Sequence, residues 1–87
     1  MQARVVLRFT EAEARAKLGQ RVRAEVEFAG VPKGTEGTVV DVHEFETGQF
    51  DVIVEWQSPL QRNLRDRFAK EPYEEYLSEL LELAIAV

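Results

Sequence analysis

Cysteine is absent from the 87-residue chain, and with it go disulfide staples, cysteinyl zinc sites and thiol nucleophiles. A small domain without staples is held by packing alone, and the reducing cytoplasm is its expected location. Basic side chains are missing from residues 36–57 and again from residues 71–87. Histidine occurs once, as His43, so no second one exists to complete a transition-metal shell. No run approaches the roughly 18 apolar residues of a membrane span. The apolar stretch after Met1 is interrupted by Arg4 and Arg8, unlike a secretory signal. No membrane association is expected.

Hydrophobic residues make up 45% of the chain and charged ones 31%, which argues against disorder of the chain as a whole. The length supports a single domain, 1–87, since chains divide at about 100–200 residues per domain. Its core is small, because a domain this short buries only about 60% of its unfolded surface. The net charge of −5 is unevenly placed. Residues 1–35 carry seven bases and four acids, and residues 36–57 carry six acids. Residues 58–70 carry four bases and one acid, and residues 71–87 five acids. Such blocks either build a two-faced surface or lie side by side in the fold and cancel.

Alternation of Val5, Leu7 and Phe9 with Arg4 and Arg8 predicts a strand over 4–9. Thr10 and Glu13 form a capping-box pattern ahead of a short helix over 11–18 that ends at Gly19. Residues 20–28 alternate again, with Val22, Ala24, Val26 and Phe28 inward and Arg21 and Arg23 outward. Gly30, Pro32 and Gly34 predict a tight reversal. Strands are expected over 38–45 and 50–56 around a hairpin loop at 46–49. Phe50, Val52, Val54 and Trp56 share one face; Asp51, Ile53 and Glu55 share the other, with Ile53 expected under a helix. Ser58 and Pro59 break the sheet, and 63–68 makes a last short strand. Pro72 then opens a C-terminal amphipathic helix whose stripe runs Tyr73, Tyr76, Leu77, Leu80, Leu81 and Ala84. Ala84–Val87 either finish that helix or add an edge strand.

This order of strand, glycine–proline turn, Gly-Thr-Val-Val strand, hairpin and Val-x-Val-x-Trp strand resembles an SH3-like barrel. The resemblance implies a mainly β (α+β) fold, an antiparallel barrel flanked by a short N-terminal and a C-terminal helix. Gly19, Val22, Gly30, Lys33, Gly34, Gly37, Val39 and Val42 further resemble a KOW motif, in which lysines touch RNA phosphate; only Lys33 keeps that role here. Residues 20–80 are similar to the barrel subunit of photosystem I that helps dock ferredoxin. They are also similar to small bacterial barrels of uncharacterised type, through Asp66, Phe68, Lys70, Glu71 and Tyr73. These likenesses rest on barrel punctuation and imply a fold more than a task.

No catalytic constellation is complete. Ser58 and Ser78 lack a Gly-x-Ser-x-Gly elbow, no phosphate-binding loop opens a helix, and the carboxylates define no pocket. His43 shares a strand side with Asp41 near Glu44 and Glu46, a set that reads as a solvent-facing strand rather than a metal site. Trp56 is in phase with the core residues of its strand, against a role as an exposed peptide-binding indole. The remaining candidate is basic: Arg21 and Arg23 on one outward face, with Arg62, Arg65 and Arg67 later in the chain. These arginines either form a docking patch or pair with Glu25, Glu27 and the acidic helix. The expected function is a non-enzymatic protein-interaction or accessory module, without cofactor, as monomer or homodimer. The alternative is RNA or DNA binding through Lys33 and the arginine face.

Overall fold

Thr10 opens the first regular element in the computed structural model, which describes residues 6–57 and 64–81. Its hydroxyl accepts from the Glu13 backbone N–H at 3.2 Å, and the Glu13 carboxylate accepts from the Thr10 N–H at 2.9 Å. This reciprocal cap satisfies two of the orphan donors of α1, Glu11–Ala16. The helix is short and buries only Ala14.

Five antiparallel strands follow: β1 Arg21–Ala24, β2 Glu36–Glu46, β3 Gln49–Trp56, β4 Arg65–Phe68 and β5 Leu77–Glu79. They form one sheet in the order β4-β3-β2-β1-β5, and a second helix, α2 Lys70–Tyr76, sits between β4 and β5 in the chain. The fold is therefore mainly β with two short helices. Val22, Val39, Val52 and Val54 are buried from the sheet's inner face, with Phe9, Phe50, Phe68, Tyr73 and Leu77 completing the core. Trp56 is 2% exposed and its indole N–H donates to the Asp66 carboxylate at 2.8 Å. The residue is a core aromatic, as its phase predicts. Among the described residues no helix is long and apolar enough to cross a membrane.

β2 and β3 meet at the turn Thr47-Gly48, where Gly48 has φ 78. A positive φ suits glycine in a two-residue hairpin, whose twist must match its strands. The β2–β3 register slips between Val39 and Asp41, leaving Val40 as a bulge. Gly37 answers a different need. A Cβ there would lie 2.8 Å from the Glu55 carbonyl oxygen and 2.8 Å from Trp56 Cε3, so only glycine lets β3 and its indole approach.

Three expectations are corrected. Residues 6–8 form no strand; Phe9 alone makes an antiparallel bridge to Phe50, because the edge of β3 beyond it is taken by β4. The strand expected over 20–28 stops at Ala24. Ala24 exchanges bonds with Thr35 and Gly34, closing off residues 25–33 as an excursion that turns between Phe28 and Val31. That excursion drops the Phe28 ring against Trp56, Phe68 and Tyr76 at 5.6–5.9 Å, and leaves Val26 41% exposed.

The third correction is the C-terminal helix, which ends at Tyr76 rather than continuing along its apolar stripe. Leu77 turns extended, and Leu77–Glu79 pair with Ala24–Val22 on β1. Sheet-edge hydrogen bonds, including Glu25 N–H to the Tyr76 carbonyl at 2.8 Å and Leu80 N–H to the Arg21 carbonyl at 2.9 Å, replace helical ones. Leu77 stays buried, whereas Leu81 is 92% exposed. Ser78, expected on a helix face, instead donates from β5 to the Glu25 carboxylate. Ser58, Pro59, Arg62 and Ala84–Val87 lie outside the described residues.

Candidate functional site

The outer face of the sheet gathers the arginines. Register places Arg21 opposite Thr38, Thr38 opposite Glu55 and Glu55 opposite Arg65. Since successive strands lie about 4.8 Å apart, this row puts the Arg21 and Arg65 backbones roughly 14 Å apart on one face. Arg23 stands opposite Glu36 and Arg67 opposite Ile53 in neighbouring rows. Of the sequence-predicted residues, Arg21, Arg23, Arg65 and Arg67 therefore share one surface. Lys33 does not join them: it is exposed on the turn that precedes β2.

Each of these four arginines meets a carboxylate of the same face. Arg21 Nη2 lies 3.0 Å from Glu36 Oε1 and donates to Gln57 at 3.3 Å, while Arg23 Nη2 reaches the other Glu36 oxygen at 3.5 Å. Arg65 holds Glu55 at 2.8 Å, and Arg67 Nε stands 3.6 Å from Asp51. The partners are thus strand carboxylates, not Glu25, Glu27 or the acidic helix. Pairs as exposed as Arg65–Glu55 contribute about 0–1 kcal/mol each, so this lattice sets surface pattern more than stability.

Two participants went unread in the sequence. Asp51, read on the strand face opposite the core side of β3, is 2% exposed. Arg8 covers it, its Nη1 donating to Asp51 Oδ1 at 2.5 Å, and the guanidinium lies 3.6 Å from the centre of the Phe45 ring. The outward phase of Arg8 and Asp51 was visible. Their meeting depends on the single bridge Phe9–Phe50, which no local pattern announces.

A second charged cluster lies away from this face, around a cleft of about 370 Å³ lined by Phe9, Glu13, Ala16, Lys17, Lys70, Tyr73 and Glu74. Lys70 Nζ is 2.9 Å from the Glu13 carboxylate. The Thr10 backbone N–H, and then Lys70, hold the Glu13 carboxyl down at about 2; the same contact raises Lys70. Lys17 lies 2.6 Å from Glu79, which also accepts from the Tyr73 hydroxyl at 2.7 Å. Burial works to raise the Glu79 carboxyl, but the Lys17 and Tyr73 hydrogen bonds together outweigh it and leave the group lowered. Burial first, and Glu79 second, push the Tyr73 phenol well above its ordinary value. Every charged group at Lys17, Lys70, Glu13 and Glu79 is engaged by another side chain, so the cluster reads as the joint between α1 and the C-terminal elements.

His43 and Asp41 do share the outer face, but among the described residues no group of three metal-ligating side chains could hold an ion. Compared with protein-family models, curated proteins and solved structures, the chain matches none.

Proposed function

We propose that this domain is a non-enzymatic protein-interaction module that engages a partner protein through the outer face of β1–β4. One observation carries the reading: the row Arg21–Thr38–Glu55–Arg65 sets arginines at both ends of a four-strand platform with a carboxylate between them. Such an alternating surface complements another mixed-charge protein surface and specifies its register. A phosphate backbone would meet Glu36 and Glu55 among the same arginines, which disfavours nucleic acid. The strand order β4-β3-β2-β1-β5 supports the SH3-like reading of the sheet, and the turn at Gly30–Gly34 supports the KOW-like one. Neither supplies a task by itself.

The test compares the protein with the double variant Arg21→Gln/Arg65→Gln, which removes both charges without setting like charges opposite each other. A partner isolated from native lysate and purified should bind the original protein and lose about tenfold or more affinity for the variant, with the thermal melt of the domain little changed. Equal binding by both proteins would reject the face. A parallel titration with mixed RNA and DNA should show no binding. Affinity that falls steeply with salt would replace this reading with the nucleic-acid one.

A further inference from the structure

The sheet is five strands wide only at one end. β1 pairs with β2 from Glu36 to Thr38, and two further bonds join Val39 to Gly19 and Gln20. β2 continues for seven more residues, to Glu46, and along them no described strand occupies its side away from β3. The opposite edge of the hairpin is filled, by β4 at Val52–Glu55 and by Phe9 at Phe50.

Hydrogen-bond parity identifies the groups that no described strand pairs. On β3 the N–H groups of Trp56 and Phe50 donate away from β2, to Leu64 and Phe9. The odd-numbered residues of β3 therefore face β2, and beyond the Val40 bulge their partners are Asp41 opposite Ile53 and His43 opposite Asp51. Val42 and Glu44 consequently turn their N–H and C=O groups off the sheet, where the Val42 N–H donates to the exposed Asp41 carboxylate at 2.8 Å. Two such residues can exchange about four hydrogen bonds with an added antiparallel strand, one of them by taking the Val42 N–H from Asp41.

Side chains say what that strand should carry. Val40 and Phe45 are exposed apolar residues at 38% and 45%. Asp41, Glu44 and Glu46 neighbour them in sequence, and no Lys or Arg occurs from residue 36 to residue 57. The Arg8 guanidinium that lies over Phe45 is already paired with Asp51. Proteins blunt open edges with charge and bulges, and like charges placed opposite each other destabilise a strand pair. An edge charged with one sign disfavours a second copy of itself but admits a strand of opposite charge.

We infer that the β2 edge at Val42 and Glu44 receives an extended basic segment of a partner protein by strand addition. Backbone bonds would supply the affinity and lysine or arginine opposite Glu44 the selectivity. This site is distinct from the outer-face arginines, and its probe needs no native partner, so it stands or falls separately from the docking-face reading.

The probe is a peptide of about eight alternating lysine and threonine residues, a typical strand length, with a glutamate–threonine peptide as control. In the free protein the Glu44 amide should exchange rapidly by NMR, and the Val42 amide, held only by the exposed Asp41 side chain, nearly as fast. The lysine peptide at low salt should slow them about tenfold or more, and the glutamate peptide should not. Glu44→Pro removes an N–H that points off the sheet, a change edge strands tolerate, and should weaken peptide binding about tenfold. Glu44→Lys/Glu46→Lys keeps every N–H and should also weaken binding, which covers the case in which the proline variant fails to fold. Three results would overturn the inference: protection of both amides already in the free monomer, protection that grows with protein concentration alone, or peptide binding indifferent to both variants.

Discussion

Arg8 reaches across 43 positions of sequence to place Nη1 2.5 Å from the Asp51 carboxylate, and the pair fastens the segment before α1 onto the start of β3. The two partners are unequal. Asp51 has a side chain 3% exposed, whereas Arg8 retains 20%. Removing the arginine strands a buried carboxylate with only Arg67 at 3.6 Å. Removing the aspartate leaves two guanidinium groups that can reach water.

Arg8→Ala should therefore destabilise the domain by about 3 kcal/mol, and Asp51→Ala by less, as read from urea denaturation. The double variant should fall short of the sum of the singles by about 1 kcal/mol or more, since the two residues share one interaction. Additive costs would show that the pair is ornamental.

The cap of α1 makes acid stability depend on Glu13. Its carboxyl sits at about 2 in the folded protein, below the ordinary 4.5. The stabilisation is thus complete above pH 4.5 and is lost as pH falls toward 2. Lys70, raised above 10.5, acts in the opposite sense: its part is complete below that value and is lost as pH rises beyond it. Glu13→Gln keeps a capping-box acceptor but no charge, so thermal melts of this variant should depend less on pH between 4.5 and 2 than those of the original protein.

Gly37→Ala should cost about 1–3 kcal/mol, through overpacking alone. Its new methyl would fall 2.8 Å from Trp56 Cε3 and 2.9 Å from Val54 Cγ1, both buried. The same change should alter the fluorescence of Trp56, the sole tryptophan. An unchanged melt and spectrum would mean that β2 and β3 can separate without penalty.

A peptide covering residues 69–84 should be helical by circular dichroism once a helix-promoting alcohol is added, although the protein uses Leu77–Glu79 as a strand. The apolar stripe there is real, and isolated it has no sheet edge to join. This contrast marks what could be read from sequence. Thr10–Glu13, Thr47-Gly48 and the inward phase of Phe50, Val52, Val54 and Trp56 are local signals, and the structure follows them. The open edge of β1 overrode the helix period at Leu77, and Phe28 left its strand to join aromatics from β3, β4 and α2. Those outcomes depend on distant partners. The arginine face was half legible: outward phase placed Arg21 and Arg23, but only cross-strand register could bring Glu36 and Glu55 to meet them.

The strand β5 beside β1 also sets the order in which the chain can assemble. The β2–β3 hairpin closes over a two-residue turn, an event of about 1–10 μs. Lys17 and Glu79 are 62 positions apart, and Leu7 and Glu71 are 64 apart. Contacts that close such long loops lose more chain entropy before any bond repays it, so they form late. The hairpin is then expected to act as the nucleus and the meeting of the two flanks as the final step. Substitutions at Lys17 or Glu79 should accordingly hasten unfolding while leaving the refolding rate nearly unchanged.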